Sequence, residues 1–149
     1  MRFDCKAFDQ LQLKELYEIL RLRQEVFVVE QNCPYLDADR LDYPPAMHLM
    51  GWDEETGDLL AYARLLPPGI SYAQYASIGR VITSPLARGK GLGKVLMNES
   101  IKRISQLFNA ETIKISAQCY LIKFYEGLGF KTIGESYLED DIPHIAMVR

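Results

Sequence analysis

Residues Arg88 to Lys94 read RGKGLGK, three glycines set among three cations directly before an amphipathic stretch. If a helix starts there, its first amide hydrogens have no intrahelical partner, and the helix dipole concentrates positive potential at the same end. Gly89, Gly91 and Gly93 have no Cβ, so an anion can come close to those amides, and Arg88, Lys90 and Lys94 add charge-assisted contacts. The chemistry favoured is the grip of a phosphate or diphosphate. Spacing excludes two nucleotide motifs. Counted from Gly89, a Walker loop needs Gly-Lys where Lys94 and Val95 stand, and a dinucleotide fingerprint needs its third glycine where Lys94 or Leu96 stands.

Proton chemistry has fewer candidates. Tyr125 lies in FYEGLGF, Phe124 to Phe130, and from the residues alone is a core tyrosine on a packed helix end. His48 and His144 can take up a proton near neutrality, at about 6.5, whereas Glu30, Asp39 and Asp42 would need a raised pKa or a water relay. Arg80 stands between the apolar segments SIG and VIT, where a buried guanidinium needs an anionic partner. It either pins Glu30 or an aspartate of the acidic loop, or faces a pocket and receives a carboxylate. The acidic loop itself favours a cationic acceptor such as an amine. Cys5, Cys33 and Cys119 are odd in number and form no CxxC, so neither a disulfide framework nor a zinc site is encoded. No histidine neighbours Cys119 in sequence, which argues against an acyl-cysteine intermediate.

Stepwise hydrophobic patterning supplies the elements that must carry these groups. The 149 residues are the size of one domain, residues 1–149, and 48% hydrophobic content is ample for a core. With 17 basic against 20 acidic residues, the net charge of -3 gives no case for a nucleic-acid partner. No stretch reaches the ~20 apolar residues that span a bilayer and none resembles a signal peptide, so the expected location is the cytoplasm, without a membrane partner. Leu13, Leu16, Tyr17, Leu20 and Phe27 predict an apolar stripe on a helix running to about Val29, after a first strand over Arg2 to Phe8. A long polar loop, with room for a further helical turn, leads to three strands in MHLMGW, LLAYARLL and YASIGRVIT. Leu92, Val95, Leu96, Ile101, Ile104 and Phe108 predict the second long helix. TIKISA is a strand, LIKFYEGLG a short helix closed by glycine, and KTIGESY and HIAMVR two final strands. The pattern is mixed α/β, with YASIGRVIT and TIKISA parallel across a helical crossover.

Arg-x-x-Gly-x-Gly at Arg88, Gly91 and Gly93, directly after a strand, and Tyr-x-x-x-Gly-Phe at Tyr125, Gly129 and Phe130 together resemble the GNAT superfamily of coenzyme A-dependent N-acetyltransferases. The likeness spans the chain and is similar to the ElaA-like branch through RQEVFVVEQ, DADRLD, MHL, IGRV and IPHIAM. It implies a mixed six- to seven-stranded sheet whose two parallel central strands splay apart, flanked by helices. It implies acetyl-coenzyme A as cosubstrate and no metal. The pantetheine arm would lie along Val81, Ile82 and Thr83, with an amide near Ile82 facing the thioester oxygen, and the diphosphate on Arg88, Gly89, Lys90, Gly91, Leu92, Gly93 and Lys94. Gln118 stands where many members carry an asparagine that contacts the arm. Tyr125 becomes the proton donor to the leaving thiolate. His144, at the start of a last strand antiparallel to the fifth, lies near the splay and is preferred to His48 as base. Glu30, Asp39, Asp42 and Arg80 border the acceptor site. The acceptor implied is a small-molecule amine or a peptide, the assembly a monomer or homodimer, and the alternative a coenzyme A-binding regulatory module without turnover.

Overall fold

The computed structural model describes residues 1–149. Strand β1 (Arg2–Ala7) leads into helix α1 (Leu13–Arg23), which continues as a π-helical segment over Gln24–Glu30. Wider i to i+5 bonds mark that segment's exit, from Gln31 N to the Val26 carbonyl (3.2 Å) and from Cys33 N to the Val28 carbonyl (3.1 Å). The loop over residues 31–46 contains turns but no helix, so the room for a further helical turn is not used. Strands β2 (Met47–Trp52), β3 (Leu59–Leu66) and β4 (Ser77–Thr83) follow, then α2 (Leu92–Phe108), β5 (Lys114–Gln118), α3 (Ile122–Glu126), β6 (Lys131–Glu139) and β7 (Ile142–Val148). No helix is long and apolar enough to cross a membrane.

The seven strands form two antiparallel sheets, β1-β2-β3-β4 and β5-β7-β6, joined by one parallel bridge between Ala76 and Ile113. Alternation along β5 explains the layering. Ile115 and Ala117 face the larger core with Leu96, Met97, Ile104, Tyr125 and Phe130, while Lys114, Ser116 and Gln118 stand on the opposite face. A smaller core of Ile19, Leu22, Val26, Met50, Trp52, Leu59, Tyr62 and Ile82 seats α1 on the other side of the first sheet.

The α1 stripe differs from that read in the sequence, whereas the α2 stripe is as read except at Val95. On α1, Leu13 is 86% and Tyr17 70% exposed, and the buried face is Glu15, Ile19, Leu22 and Arg23. Glu15 accepts bonds from Gln12 N (2.8 Å) and Lys6 Nζ (2.8 Å), so a charged residue sits on the inward face with its partners supplied. On α2, Leu96 and Ile104 are buried and Leu92, Ile101 and Phe108 pack against the larger core, while Val95 is half exposed and Met97 and Ser100 join the buried face. Ser100 satisfies its hydroxyl by donating to the Leu96 carbonyl at 2.8 Å, which lets a polar residue face inward on a helix.

Candidate functional site

Main-chain hydrogen bonds join the two sheets only where β4 and β5 begin. Ala76 N donates to the Thr112 carbonyl (3.2 Å) and Lys114 N to the Ala76 carbonyl (2.9 Å); beyond that point no ladder joins the strands and a wedge opens between them. The edge of β4 along this wedge therefore has no strand partner. Which groups face the wedge follows from phase. Ser84 N donates to the Leu60 carbonyl (2.8 Å), so Ser84 and Ile82, two residues apart, turn their main-chain groups toward β3, where Ile82 pairs with Tyr62. Thr83 and Val81 then present theirs to the wedge. The amide expected near Ile82 is therefore not that of Ile82 itself, which belongs to the β3 ladder with its side chain, 2% exposed, in the smaller core, but that of a neighbour on the open edge.

At the wide end of the wedge the chain makes the turn into α2. Gly89 and Gly91 have φ of 79° and 72°, in the left-handed region that side chains with a Cβ disfavour, and Gly91 is the residue that caps α2. No side chain caps this end, and the first amide returned to the helix is Val95 N, to the Gly91 carbonyl at 3.3 Å. The amides from Gly89 to Lys94 thus remain without main-chain partners. Lys90 and Lys94 are exposed, and Arg88 reaches across to Glu30 at the end of the π-helical segment. Leu92 is half-buried against the larger core, and a Cβ on Gly93 would stand 3.5 Å from the Phe124 ring, which ties α3 to this turn.

Tyr125 follows Phe124 on α3. Its ring packs edge-on against Phe124 (5.1 Å) and Phe130 (5.9 Å), and it is 7% exposed, yet its hydroxyl makes no hydrogen bond to the chain. Burial, with the nearby Tyr120 second, pushes the phenol up to about 12, so it holds its proton throughout the neutral range. Gly129 closes α3 at φ 90°, and Phe130 fills the core.

The far wall of the wedge brings Gln118 and His144 side by side, since Gln118 pairs with His144 across β5 and β7. Gln118 exchanges amide bonds with Gln31 (3.3 and 3.5 Å), joining this wall to the π-helical segment. His144 Nδ1 donates to the Ile142 carbonyl (2.7 Å), the ring stacks on Tyr137, and Nε2 lies 3.2 Å from the Glu139 carboxylate. In that tautomer the lone pair is on Nε2. His48 is different. It is 1% exposed and bonded to Tyr62 (2.8 Å) and the Asp42 carbonyl (2.8 Å), and burial first of all lowers its pKa, so it is a neutral structural residue.

The acidic loop is folded onto three arginines. Arg23, fully buried, donates to Asp37 (2.7 Å), Asp42 (2.6 Å) and the Asp37 carbonyl (3.0 Å). Arg64 grips Asp39 through both terminal nitrogens (2.7 and 2.8 Å) and also reaches Asp42 (2.9 Å). Arg80 donates to Asp37 (2.8 Å), its carbonyl (3.0 Å) and Asp39 (3.3 Å). Of the two readings of Arg80, the structure supports the pinning one, with Asp37 and Asp39 rather than Glu30 as partners. Asp42, 9% exposed and spent on Arg23 and Arg64, is not placed to meet an acceptor. Burial would raise Asp39, but Arg64 outweighs it and holds its carboxyl at about 2, too weak a base to deprotonate an amine. Arg23, Arg64 and Asp37 are the members of this cluster that the sequence reading passed over. The signal available was Arg64 alone in the otherwise apolar LLAYARLL; Arg23, one of two arginines beside a glutamate in LYEILRLR, gave none.

A pH prediction arises here. A carboxyl lowered by folding contributes stability above its unfolded value, near 4, and loses it as pH falls through the folded value. Asp39 is expected to contribute about 2 kcal/mol at neutral pH, lost between about pH 4 and pH 2. Melting temperature against pH should fall in that interval, and the difference between the wild type and Asp39→Asn should vanish toward its acid end.

Comparison with known proteins places these features in context. A family model described as an acetyltransferase (GNAT) domain matches residues 52–149. The Escherichia coli protein ElaA is 40% identical over 141 residues, 94% of this chain and 90% of that one. A UPF0039 protein of Schizosaccharomyces pombe is 41% identical over 99% of this chain and 95% of its own. Among solved structures, an acyl-CoA N-acyltransferase from Pseudomonas aeruginosa superposes with a TM-score of 0.91 at 46% identity, covering 100% of this chain and 99% of that one. The crystal structure of Escherichia coli ElaA superposes at 0.90 with 37% identity, covering 100% and 99%.

Proposed function

Since the chain belongs to the GNAT acetyltransferase family, we propose that it transfers an acetyl group directly from acetyl-coenzyme A to a primary amine of a small molecule or, second, of a peptide. The observation that carries this reading is the continuity of the β4–β5 wedge with the unpaired amides between Gly89 and Lys94. An extended arm can pair with the open edge at Val81 and Thr83 while its diphosphate meets the amides of Gly89 to Lys94 and the charges of Arg88, Lys90 and Lys94. Gln118 has donor and acceptor groups on the opposite wall for the arm's amides. Arg88 must exchange its Glu30 partner for phosphate, which frees the Glu30 carboxylate beside the acceptor side of the wedge.

In this reading Val81 N–H donates to the thioester carbonyl oxygen as charge develops on it. His144 takes the amine's proton at Nε2. Tyr125 donates to the sulfur as the carbon–sulfur bond breaks. The test is a panel of primary amines with free thiol as readout. A panel that gives no thiol above the hydrolytic background, from protein that binds acetyl-coenzyme A, would leave the regulatory-module reading in its place.

Gly91→Ala provides a further check. A Cβ at φ 72° costs about 1 kcal/mol and biases the cap away from the conformation that turns its amides outward. Coenzyme A affinity measured by calorimetry is expected to fall about tenfold with only a small loss in melting temperature.

A further inference from the structure

Arg80 is the one residue of the wedge-facing edge with backbone in the left-handed region, at φ 52°. It sits in a bulge: Gly79 pairs with Arg64 and Ile82 with Tyr62, so Arg80 and Val81 together stand opposite Ala63. The peptide between Arg80 and Val81 carries the Val81 N–H, and in extended backbone that N–H faces the same way as the Val81 carbonyl, into the wedge. If Arg80 relaxed to an ordinary extended φ, this peptide would rotate and the N–H would leave the wedge.

What holds Arg80 in a disfavoured conformation is at the far end of its side chain. The guanidinium is bound at Nε and at one terminal nitrogen by the carboxylate (2.8 Å) and carbonyl (3.0 Å) of Asp37. The rings of Phe27 and Tyr35 flank it at 6.0 and 5.8 Å. Asp37 is itself immobilised, because Arg23 holds its other carboxylate oxygen (2.7 Å) and Tyr35 donates to the same oxygen that Arg80 uses (2.7 Å). A chain of fixed contacts therefore runs from α1 through the acidic loop to one peptide of β4.

We propose that Asp37, acting through Arg80, is a positioning residue that keeps the bulge of β4 twisted so that Val81 N–H points at the carbonyl oxygen of a thioester in the wedge. The proposal rests on the acetyl-transfer reading of that wedge. It separates the acidic loop's role from acceptor binding: Asp37 contacts neither donor nor acceptor, and it acts on the alignment of one hydrogen bond.

Isotope-edited infrared spectra of carbonyl-labelled acetyl-coenzyme A read that hydrogen bond without an acceptor. With the wild type, the bound thioester's carbonyl band is expected below that of the free thioester. Arg80→Ala should lose most of this shift while the dissociation constant changes about threefold or less, because the other arm and phosphate contacts persist. Arg80→Gly should recover most of it, since glycine adopts φ 52° without a Cβ clash. Once an acceptor is in hand, the loss in kcat for Arg80→Ala is expected to be about a hundredfold, with KM for the thioester little changed. Failure of the wild type to bind the thioester would remove the acetyl-transfer reading and the proposal with it. Binding without a band shift, a full shift in Arg80→Ala, or equal losses in the alanine and glycine variants would overturn the proposal alone. If Arg80→Ala does not fold, Asp37→Asn decides: it keeps the side-chain volume and weakens the grip, and an undiminished shift in that variant refutes the brace.

Discussion

Replacing Tyr125 by phenylalanine is expected to lower acetyl transfer about a hundredfold or more while leaving acetyl-coenzyme A affinity and the melting temperature nearly unchanged. The reason is an imbalance in the residue's contacts. Its ring carries packing against Phe124 and Phe130, which phenylalanine preserves, whereas its hydroxyl bonds to nothing in the chain and so contributes little to folding. On the proposed acetyl-transfer reading, a hydroxyl with no partner in the chain is free to meet the leaving sulfur. Because burial holds the phenol up at about 12, it stays protonated and donates throughout the working range. A thiol leaving group near pKa ~8.5 is the weaker base, so in that reading the hydroxyl would stabilise the departing thiolate chiefly by hydrogen bonding. An alkaline limb of the pH–rate profile should then not belong to Tyr125. Free-thiol release with the best amine, compared between the two proteins, checks the effect. Unchanged turnover would strip Tyr125 of this role, leaving family membership untouched.

Why some of this was legible in the sequence and some not comes down to whether a signal is local. The turn at Arg88 to Lys94 announces itself because glycine and charge act through the backbone within a few residues, and the structure places it at the start of α2 as its composition requires. The parallel relation of β4 and β5 followed from the helical crossover, and the wedge followed from the family likeness. The buried face of α1 was hidden because it includes Glu15 and Arg23, and a charge on a periodic stripe is ordinarily counted as outward. Its partners, Asp37 and Asp42, lie 14 and 19 residues away in a loop without periodicity. The bulge at Arg80 was equally invisible: arginine carries no preference for φ 52°, and only the pairing of Gly79 with Arg64 and Ile82 with Tyr62 reveals the extra residue. Which amide near Ile82 is open was hidden for the same reason, since every orientation along that edge depends on strand phase.

Arg23 carries the largest stability effect expected from a single substitution. Arg23→Met keeps much of the stem's packing but withdraws a guanidinium that is 0% exposed, leaving Asp37 and Asp42 facing each other with two arginines for three aspartates. A buried ion pair stripped of one partner costs about 3–5 kcal/mol, because the remaining charge keeps its desolvation penalty and loses its compensation. For a chain of this size that corresponds to a fall of roughly 10 °C in melting temperature. The pH dependence separates this cause from simple loss of packing. In the wild type, burial works to raise Asp42, but Arg23 and Arg64 outweigh it and keep its carboxyl below the usual range. Removing Arg23 shifts that balance upward, so protonation relieves the variant at a higher pH than it begins to weaken the wild type. The difference in stability should therefore be widest at neutral pH and narrow as pH falls through about 4. A deficit that stayed constant with pH would mean that lost packing, not uncompensated charge, destabilises the variant. Because Asp37 is held by Arg23, the same variant should also weaken the thioester band shift at temperatures where it remains folded, linking the stability of α1 to the alignment of a peptide on β4.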